Sequence, residues 1–135
     1  MFITRASRHD RDEIASFLES QGRPRDGGSK GTVFFAREGG IVGAVRLIEV
    51  APQALVVDEM VVDQGRRRQG IGTNLMQAVM NSRGGTLFVS TDPTYAPFFN
   101  RLGFEEVAPG DAPEPVVTHL ASSPDTPEAV VMRAR

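Results

Sequence analysis

The chain has no cysteine and no tryptophan, one tyrosine and two histidines among its 135 residues. Without cysteine there is no disulfide, no thiolate zinc site and no cysteine nucleophile. His9 and His119 are too few for a histidine-based metal centre, so no metal is expected. No apolar run approaches the roughly 20 residues of a membrane-spanning helix. Met1-Phe2-Ile3-Thr4-Arg5 lacks the build of a signal peptide. A cytoplasmic protein with no membrane partner is the expectation. A broad basic face is missing too. Net charge is −2 and the pI is about 5.7, which argues against a nucleic-acid partner. What is present is the composition of an ordinary globule, 40% hydrophobic and 24% charged. At about 150 residues per domain, residues 1–135 make one domain. Such a chain buries roughly two-thirds of its unfolded surface and needs no covalent staple. Of its 15 basic residues only Lys30 is a lysine, a skew that GC-rich codon usage produces by itself.

Periodicity sets the element order. Phe2–Arg5 reads as a short strand, and a helix follows over about Asp10–Ser20. Ile14, Phe17 and Leu18 are its apolar stripe, and Asp12 and Glu13 suit its dipole. Residues 21–31 are a glycine-rich loop. Thr32–Arg37 and Ile41–Val50 read as a hairpin turned at Glu38-Gly39-Gly40, and Ala54–Val62 as a third strand. Asp58-Glu59 is the one polar interruption in that strand. Helical spacing resumes with Ile71, Leu75, Ala78 and Val79, so a helix runs from about Gly70 to Asn81. Thr86–Ser90 is a buried strand, 94–102 a helix closed by Gly103, Phe104–Val107 a strand and Val130–Arg133 the last strand. Residues 108–128 form a loop long enough to need a purpose, with Pro115–Leu120 a short helical lid within it. Strands joined through helices imply parallel pairing and the hairpin implies antiparallel pairing. The fold class is therefore α/β, a mixed sheet of about six to seven strands with helices on both faces.

The most informative stretch is Val61-Val62-Asp63-Gln64-Gly65-Arg66-Arg67-Arg68-Gln69-Gly70-Ile71-Gly72-Thr73. It leaves a buried strand and enters a helix through glycines and arginines. Free amides at a helix start, glycines that let a ligand approach and guanidinium forks make a phosphate site. It is not a P-loop, because no Gly-Lys-Ser/Thr precedes the helix. Nor is it a dinucleotide fingerprint, because Leu75 stands where the third glycine belongs. Arg67-Arg68-Gln69-Gly70-Ile71-Gly72 resembles the coenzyme A pyrophosphate loop of the GNAT N-acetyltransferase superfamily. Ala96-Pro97-Phe98-Phe99-Asn100-Arg101-Leu102-Gly103-Phe104 is similar to that superfamily's second signature, a helix ending in Leu-Gly-Phe. The two lie in register with an element order that matches along the whole chain.

The resemblance implies a GNAT fold with a splayed parallel strand pair and acetyl-CoA as cofactor. The cofactor would be held by Met60, Val61 and Val62 of the strand, by Arg67, Arg68, Gln69, Gly70, Ile71, Gly72 and Thr73 of the loop, and by Phe98 and Arg101. The implied reaction is direct transfer of acetyl to the primary amine of a small molecule in a ternary complex. Glu59 and Asp58 are the candidate bases, and strict alternation along a strand turns only one of them inward. The sequence departs from the family at Phe99, where many members carry a tyrosine acid. Tyr95, the chain's one tyrosine, is the candidate substitute. That departure keeps a second reading open, a non-catalytic acyl-CoA-binding or regulatory module of the same fold. Arg23 and Arg25, in the loop that borders the acceptor site in this fold, are candidates for holding a substrate carboxylate. Distantly, the chain is similar to small bacterial amino-acid N-acetyltransferases. The family also admits homodimers, on which the sequence is silent.

Overall fold

A computed structural model describes residues 1–23, 31–66, 70–82, 84–121 and 129–134. Among these residues seven strands form one sheet: β1 (Phe2–Arg5), β2 (Thr32–Glu38), β3 (Gly40–Ala51), β4 (Ala54–Val62), β5 (Thr86–Thr91), β6 (Glu105–Glu106) and β7 (Val130–Ala134). Their order is β1-β2-β3-β4-β5-β7-β6. Four α-helices accompany them: α1 (Arg11–Ser20), α2 (Ile71–Ser82), α3 (Ala96–Arg101) and α4 (Glu114–Ala121). β4 and β5 pair parallel, from Ala54↔Thr86 to Val56↔Phe88. The β1–β2, β2–β3, β5–β7 and β6–β7 pairs are antiparallel. The expected mixed sheet is present.

The chain divides into two compact units, Met1–Ile48 with Asp58–Ser82, and Glu49–Val57 with Arg83–Arg135. In the first, a capping box leads into α1. Asp10 accepts from the Ser7 amide at 2.8 Å, and Ser7 Oγ accepts from the His9 amide at 3.3 Å. These bonds satisfy donors that a helix start leaves open. The predicted helix over Asp10–Ser20 is thus preceded by a 3-10 turn, Arg8–Asp10. Ile14, Phe17 and Leu18 pack on Val33, Phe35, Ile41, Ala44 and Val61. Each such side chain contributes about 1.5–3 kcal/mol when fully buried. Arg37 of β2 donates two hydrogen bonds to the Glu13 carboxylate, at 2.8 and 2.6 Å. Those bonds hold the Glu13 carboxyl below the ordinary glutamate range.

Successive strand residues point to opposite faces. Ala44 belongs to the cluster under α1, whereas its neighbour Gly43 receives α2. A Cβ at Gly43 would lie 2.9 Å from Leu75 Cδ1 and 3.0 Å from Ile71 Cγ2. Helices therefore cover both faces of this unit's sheet, and α2 approaches β3 only because residue 43 has no side chain.

In the second unit, Val116 of α4 is buried against Ala54, Val56 and Phe88, with Leu120 and Val131 packed alongside. The helix expected as a lid is present, but it is a core element. Val116 and Leu120 stand four residues apart and share one face, which the sheet covers. The strand expected over Phe104–Val107 shortens to Glu105–Glu106, because the Phe104 amide is committed to the Phe99 carbonyl at the end of α3, at 3.0 Å.

Candidate functional site: an arginine-bridged acidic pair and a glycine-opened helix start

β4 carries Asp58 and Glu59 side by side, and β3 brings Arg46 to both. Arg46 donates to Asp58 Oδ2 from Nε at 3.1 Å and from Nη2 at 2.7 Å. The same Nη2 lies 3.5 Å from Glu59 Oε2. All three side chains are about 15% exposed, Arg46 at 15%, Asp58 at 16% and Glu59 at 14%. Strict alternation would send two adjacent carboxylates to opposite faces, yet one guanidinium reaches both. Arg23, just past α1 and 51% exposed, brings its Nη1 to 3.9 Å from Glu59 Oε1. Glu59 also lines a small apolar pocket with Ile14, Leu18, Val33 and Ala44. The cluster thus holds one carboxylate bonded twice to an inward arginine and a second, beside an apolar wall, with guanidinium nitrogens at 3.5 and 3.9 Å.

Arg46 was not among the residues the sequence singled out. Its signal was a lone charge within the apolar run Ile41–Leu47, on the hairpin partner of the strand interrupted by Asp58-Glu59. Met60 and Val62 are half-buried, and Val61 is buried in the cluster under α1.

The turn from β4 into α2 is ordered by its own backbone. Asp63 donates its amide to the Val42 carbonyl at 2.8 Å and accepts from the Gly65 amide through Oδ1 at 3.1 Å. Gln64 donates its amide to Gln21 Oε1 at 3.3 Å. The end of α1 is therefore tied both to this turn and, two residues later through Arg23, to Glu59. Arg66, first of the arginine run, pairs with Glu38 at 3.4 Å. Arg67, Arg68 and Gln69 lie outside the described residues, as does Arg25. Gly70 has φ +79°, with open space where a Cβ would stand. Its carbonyl accepts from Asn74 at 3.0 Å, the first bond of α2. A left-handed glycine with free space before a 12-residue helix suits an anion at the helix start, where the first amides lack intrahelical partners. Ile71 turns its side chain inward, with Cγ2 3.0 Å from where a Cβ at Gly43 would stand. Gly72 and Thr73 are half-buried. Among the described residues no group of three or more His, Cys, Asp or Glu could hold a metal ion, and no helix is long and apolar enough to cross a membrane.

A GNAT acetyltransferase domain model matches residues 29–106, which spans the acidic pair, the glycine-opened helix start and the Leu-Gly-Phe signature. The chain belongs to the GNAT acetyltransferase family. Three solved structures share this GNAT fold. An acetyltransferase of the family from Staphylococcus aureus is 19% identical, with a TM-score of 0.70 over 98% of this chain and 97% of its own. An aminoglycoside 6'-N-acetyltransferase in complex with coenzyme A is 18% identical, with a TM-score of 0.71 over 98% and 96%. N-acetylglutamate synthase from Neisseria gonorrhoeae, in complex with coenzyme A and N-acetyl-glutamate, is 18% identical with a TM-score of 0.76. It is matched over all of this chain and 35% of its own. No curated protein matches the chain. Acetyl-CoA is the usual acyl donor of GNAT enzymes, and the Gly70 helix start has the donors and the space that its pyrophosphate needs.

The remaining sequence candidates lie in the second unit. Asp92 caps a 3-10 turn, Pro93–Tyr95, by accepting from the Thr94 amide at 2.9 Å. That bond holds the Asp92 carboxyl below the ordinary aspartate range. Tyr95 is 59% exposed. Phe99, at the position of the usual GNAT tyrosine, is 4% exposed. It packs edge-on against Phe98 at 5.1 Å and Phe104 at 5.4 Å between ring centroids. It is a core residue of this unit and has no proton to give. Phe98 is half-buried and Arg101 exposed in the last turn of α3.

Proposed function

We propose that this GNAT chain transfers the acetyl group of acetyl-CoA to the primary amine of a small molecule by direct attack. One observation carries the reading, the unequal treatment of the two carboxylates by Arg46. Asp58 takes two hydrogen bonds from the guanidinium on one oxygen. Glu59 stands at longer range from Arg46 and Arg23, beside an apolar wall. Glu59 is therefore the base and Asp58 its fixed partner. The cofactor supplies an acetyl thioester when bound.

The chain's own residues do the rest. The Gly70–Thr73 helix start, with Arg67, Arg68 and Gln69, binds the pyrophosphate. The β4 backbone at Met60–Val62 orients the arm and the carbonyl. Glu59 Oε accepts a proton from the substrate ammonium. The freed amine would attack the bound thioester, forming the C–N bond as the C–S bond breaks, and the second proton of the nitrogen would pass to solvent. The thiolate takes its proton from solvent, since the one phenol of the chain is exposed and a thiol is a good leaving group without help.

Arg23 favours an amine that also bears a carboxylate, because it sets a guanidinium beside the base, with Arg25 next in the loop. The gonococcal synthase, whose structure holds N-acetyl-glutamate, supports the same class of acceptor. The test is thiol release from acetyl-CoA with pooled amino acids and other small amines, for the wild type and for Glu59→Gln and Asp58→Asn. Loss of a general base lowers the rate by about 10²–10⁴. Glu59→Gln should do so and lose the alkaline-rising limb of the pH profile. Asp58→Asn should keep the limb. Tight cofactor binding with no turnover on any amine would replace this reading with that of a non-catalytic acyl-CoA-binding module.

A further inference from the structure

On the same unit, at the end of β1, a second pocket of about 120 Å³ opens with mostly polar walls, among them Arg5, Ser7, Arg8, Arg11 and Thr32. It holds neither the acidic pair nor the cofactor-loop residues, and it shares only Val33 with the apolar wall beside Glu59. Three guanidiniums border it: Arg5 from the last position of β1, Arg8 from the 3-10 turn and Arg11 from the first turn of α1. Among the described residues none of the three is in an ion pair, whereas Arg23, Arg37, Arg46 and Arg66 each meet a carboxylate. The one carboxylate in the adjoining turn is Asp10, and its Oδ2 accepts from the Ser7 amide at 2.8 Å and the Ser7 hydroxyl at 3.0 Å. Arg5, Arg8 and Arg11, all exposed, therefore line the pocket with no neutralising partner among the described residues. Backbone amides contribute little here, because Ser7 and Asp10 already occupy those of the turn.

Three like charges around one polar cavity repel one another, and a bound anion relieves such repulsion. The charge sorts the candidates. A carboxylate brings one charge and two oxygens, which leaves two of three guanidiniums uncompensated. A phosphoryl group brings between one and a half and two charges near neutral pH and three acceptor oxygens, one for each arginine. We infer that Arg5, Arg8 and Arg11 form a second anion site, separate from the coenzyme A loop, that binds the phosphoryl group of a small ligand.

Inorganic phosphate and glycerol phosphate are the probes, each titrated at constant ionic strength into protein saturated with coenzyme A, so that the Gly70 helix start is already filled. Backbone amide shifts in NMR locate binding, and the melting temperature reports its strength. Expected are saturable shifts at Ser7, Arg8 and Thr32, and a rise in melting temperature. The paired variant Arg8→Gln/Arg11→Gln should lose at least tenfold in affinity while binding coenzyme A as the wild type does. A tighter response to glycerol phosphate than to phosphate marks a phosphorylated metabolite as the ligand, and the reverse order marks free phosphate. Acetate binding as well as phosphate, an unsaturable response, or phosphate affinity unchanged in the paired variant would overturn the assignment. Because the readouts use no acetyl acceptor, the site stands or falls independently of the acetyl-transfer reading.

Discussion

Gly43→Ala is the perturbation whose size the structure sets most closely. Residue 43 lies mid-strand in β3, under α2. The added methyl would stand 2.9 Å from Leu75 Cδ1, 3.0 Å from Ile71 Cγ2 and 3.4 Å from the Val61 carbonyl oxygen. Leu75 is 0% exposed and Ile71 3%, so neither has free volume to move into. Ile71 is also β-branched, and its Cγ2 is fixed by χ1. Overpacking of this kind costs about 1–3 kcal/mol. Alanine returns about 0.5–1 kcal/mol of that by restricting the unfolded chain and suiting a strand better than glycine.

The net expectation is a loss of about 0.5–2 kcal/mol. For a chain of this length, at roughly 3–4 °C per kcal/mol, that is a fall of about 2–8 °C in Tm. Gly40→Ala is the matched control. It lies in the same strand, and nothing stands within 4 Å of its added methyl. It should be neutral or slightly stabilising. Urea denaturation of the two variants isolates the clash as their difference, about 1–3 kcal/mol. Leu75→Ala alone should cost about 2–5 kcal/mol, and Gly43→Ala/Leu75→Ala should cost less than the two losses combined, because the methyl fills part of the cavity. Because the clash pushes on the first turn of α2, Gly43→Ala should also raise the KM for acetyl-CoA. Gly43→Ala as stable as Gly40→Ala would refute the packing argument.

Other outcomes follow from the same geometry. Gly70→Glu has room for its side chain but must adopt a left-handed backbone, which costs about 1–2 kcal/mol. The protein should stay folded by circular dichroism while calorimetry shows coenzyme A affinity down at least tenfold, and unchanged affinity removes the pyrophosphate from Gly70. Tyr95→Phe should leave kcat within about twofold, since an exposed phenol is not held for the proton transfer that makes an acid worth about 10²–10⁴. A drop of tenfold or more would make Tyr95 the donor. Glu13, held below its ordinary value of 4.5 by Arg37, stabilises the fold at and above that pH. The contribution disappears as pH falls through the lowered value. The stability gap between wild type and Glu13→Gln should therefore be open at pH 7 and closed near pH 2, and a gap independent of pH excludes the ion pair as its cause.

Local chemistry made much of the molecule legible in advance. β4 was read at its observed bounds, and α2 within one residue of its own. Each is a contiguous run whose apolar period and flanking glycines belong to the same few residues. The helix start at Gly70 belongs to that class, as does the hairpin at Gly39. Elements that depend on what lies opposite were read less well. Phe104–Val107 looked like a strand because Phe104 and Val107 suit one, but the Phe104 amide closes α3 on the Phe99 carbonyl, which leaves Glu105 and Glu106 as the ladder with β7 and the Val107 amide bonded to Val131 beyond it. Residues 115–120 looked like a lid because prolines and a long loop surround them. Their destination under Val56 and Phe88 depends on strands some 60 and 30 positions away in the chain.

The sequence by itself therefore determined the family, the strand–turn–helix that opens at Gly70 and the strand that carries two carboxylates, because the residues responsible are neighbours in the chain. Only the tertiary structure decided how those carboxylates differ. Arg46 reaches them through the pairing of β3 with β4, and no single-strand pattern encodes which of two adjacent acids a guanidinium on the next strand will grip. The same holds for Arg5, Arg8 and Arg11. Three residues apart in the chain, they become a site only when the end of β1, the following turn and the start of β2 close around one cavity.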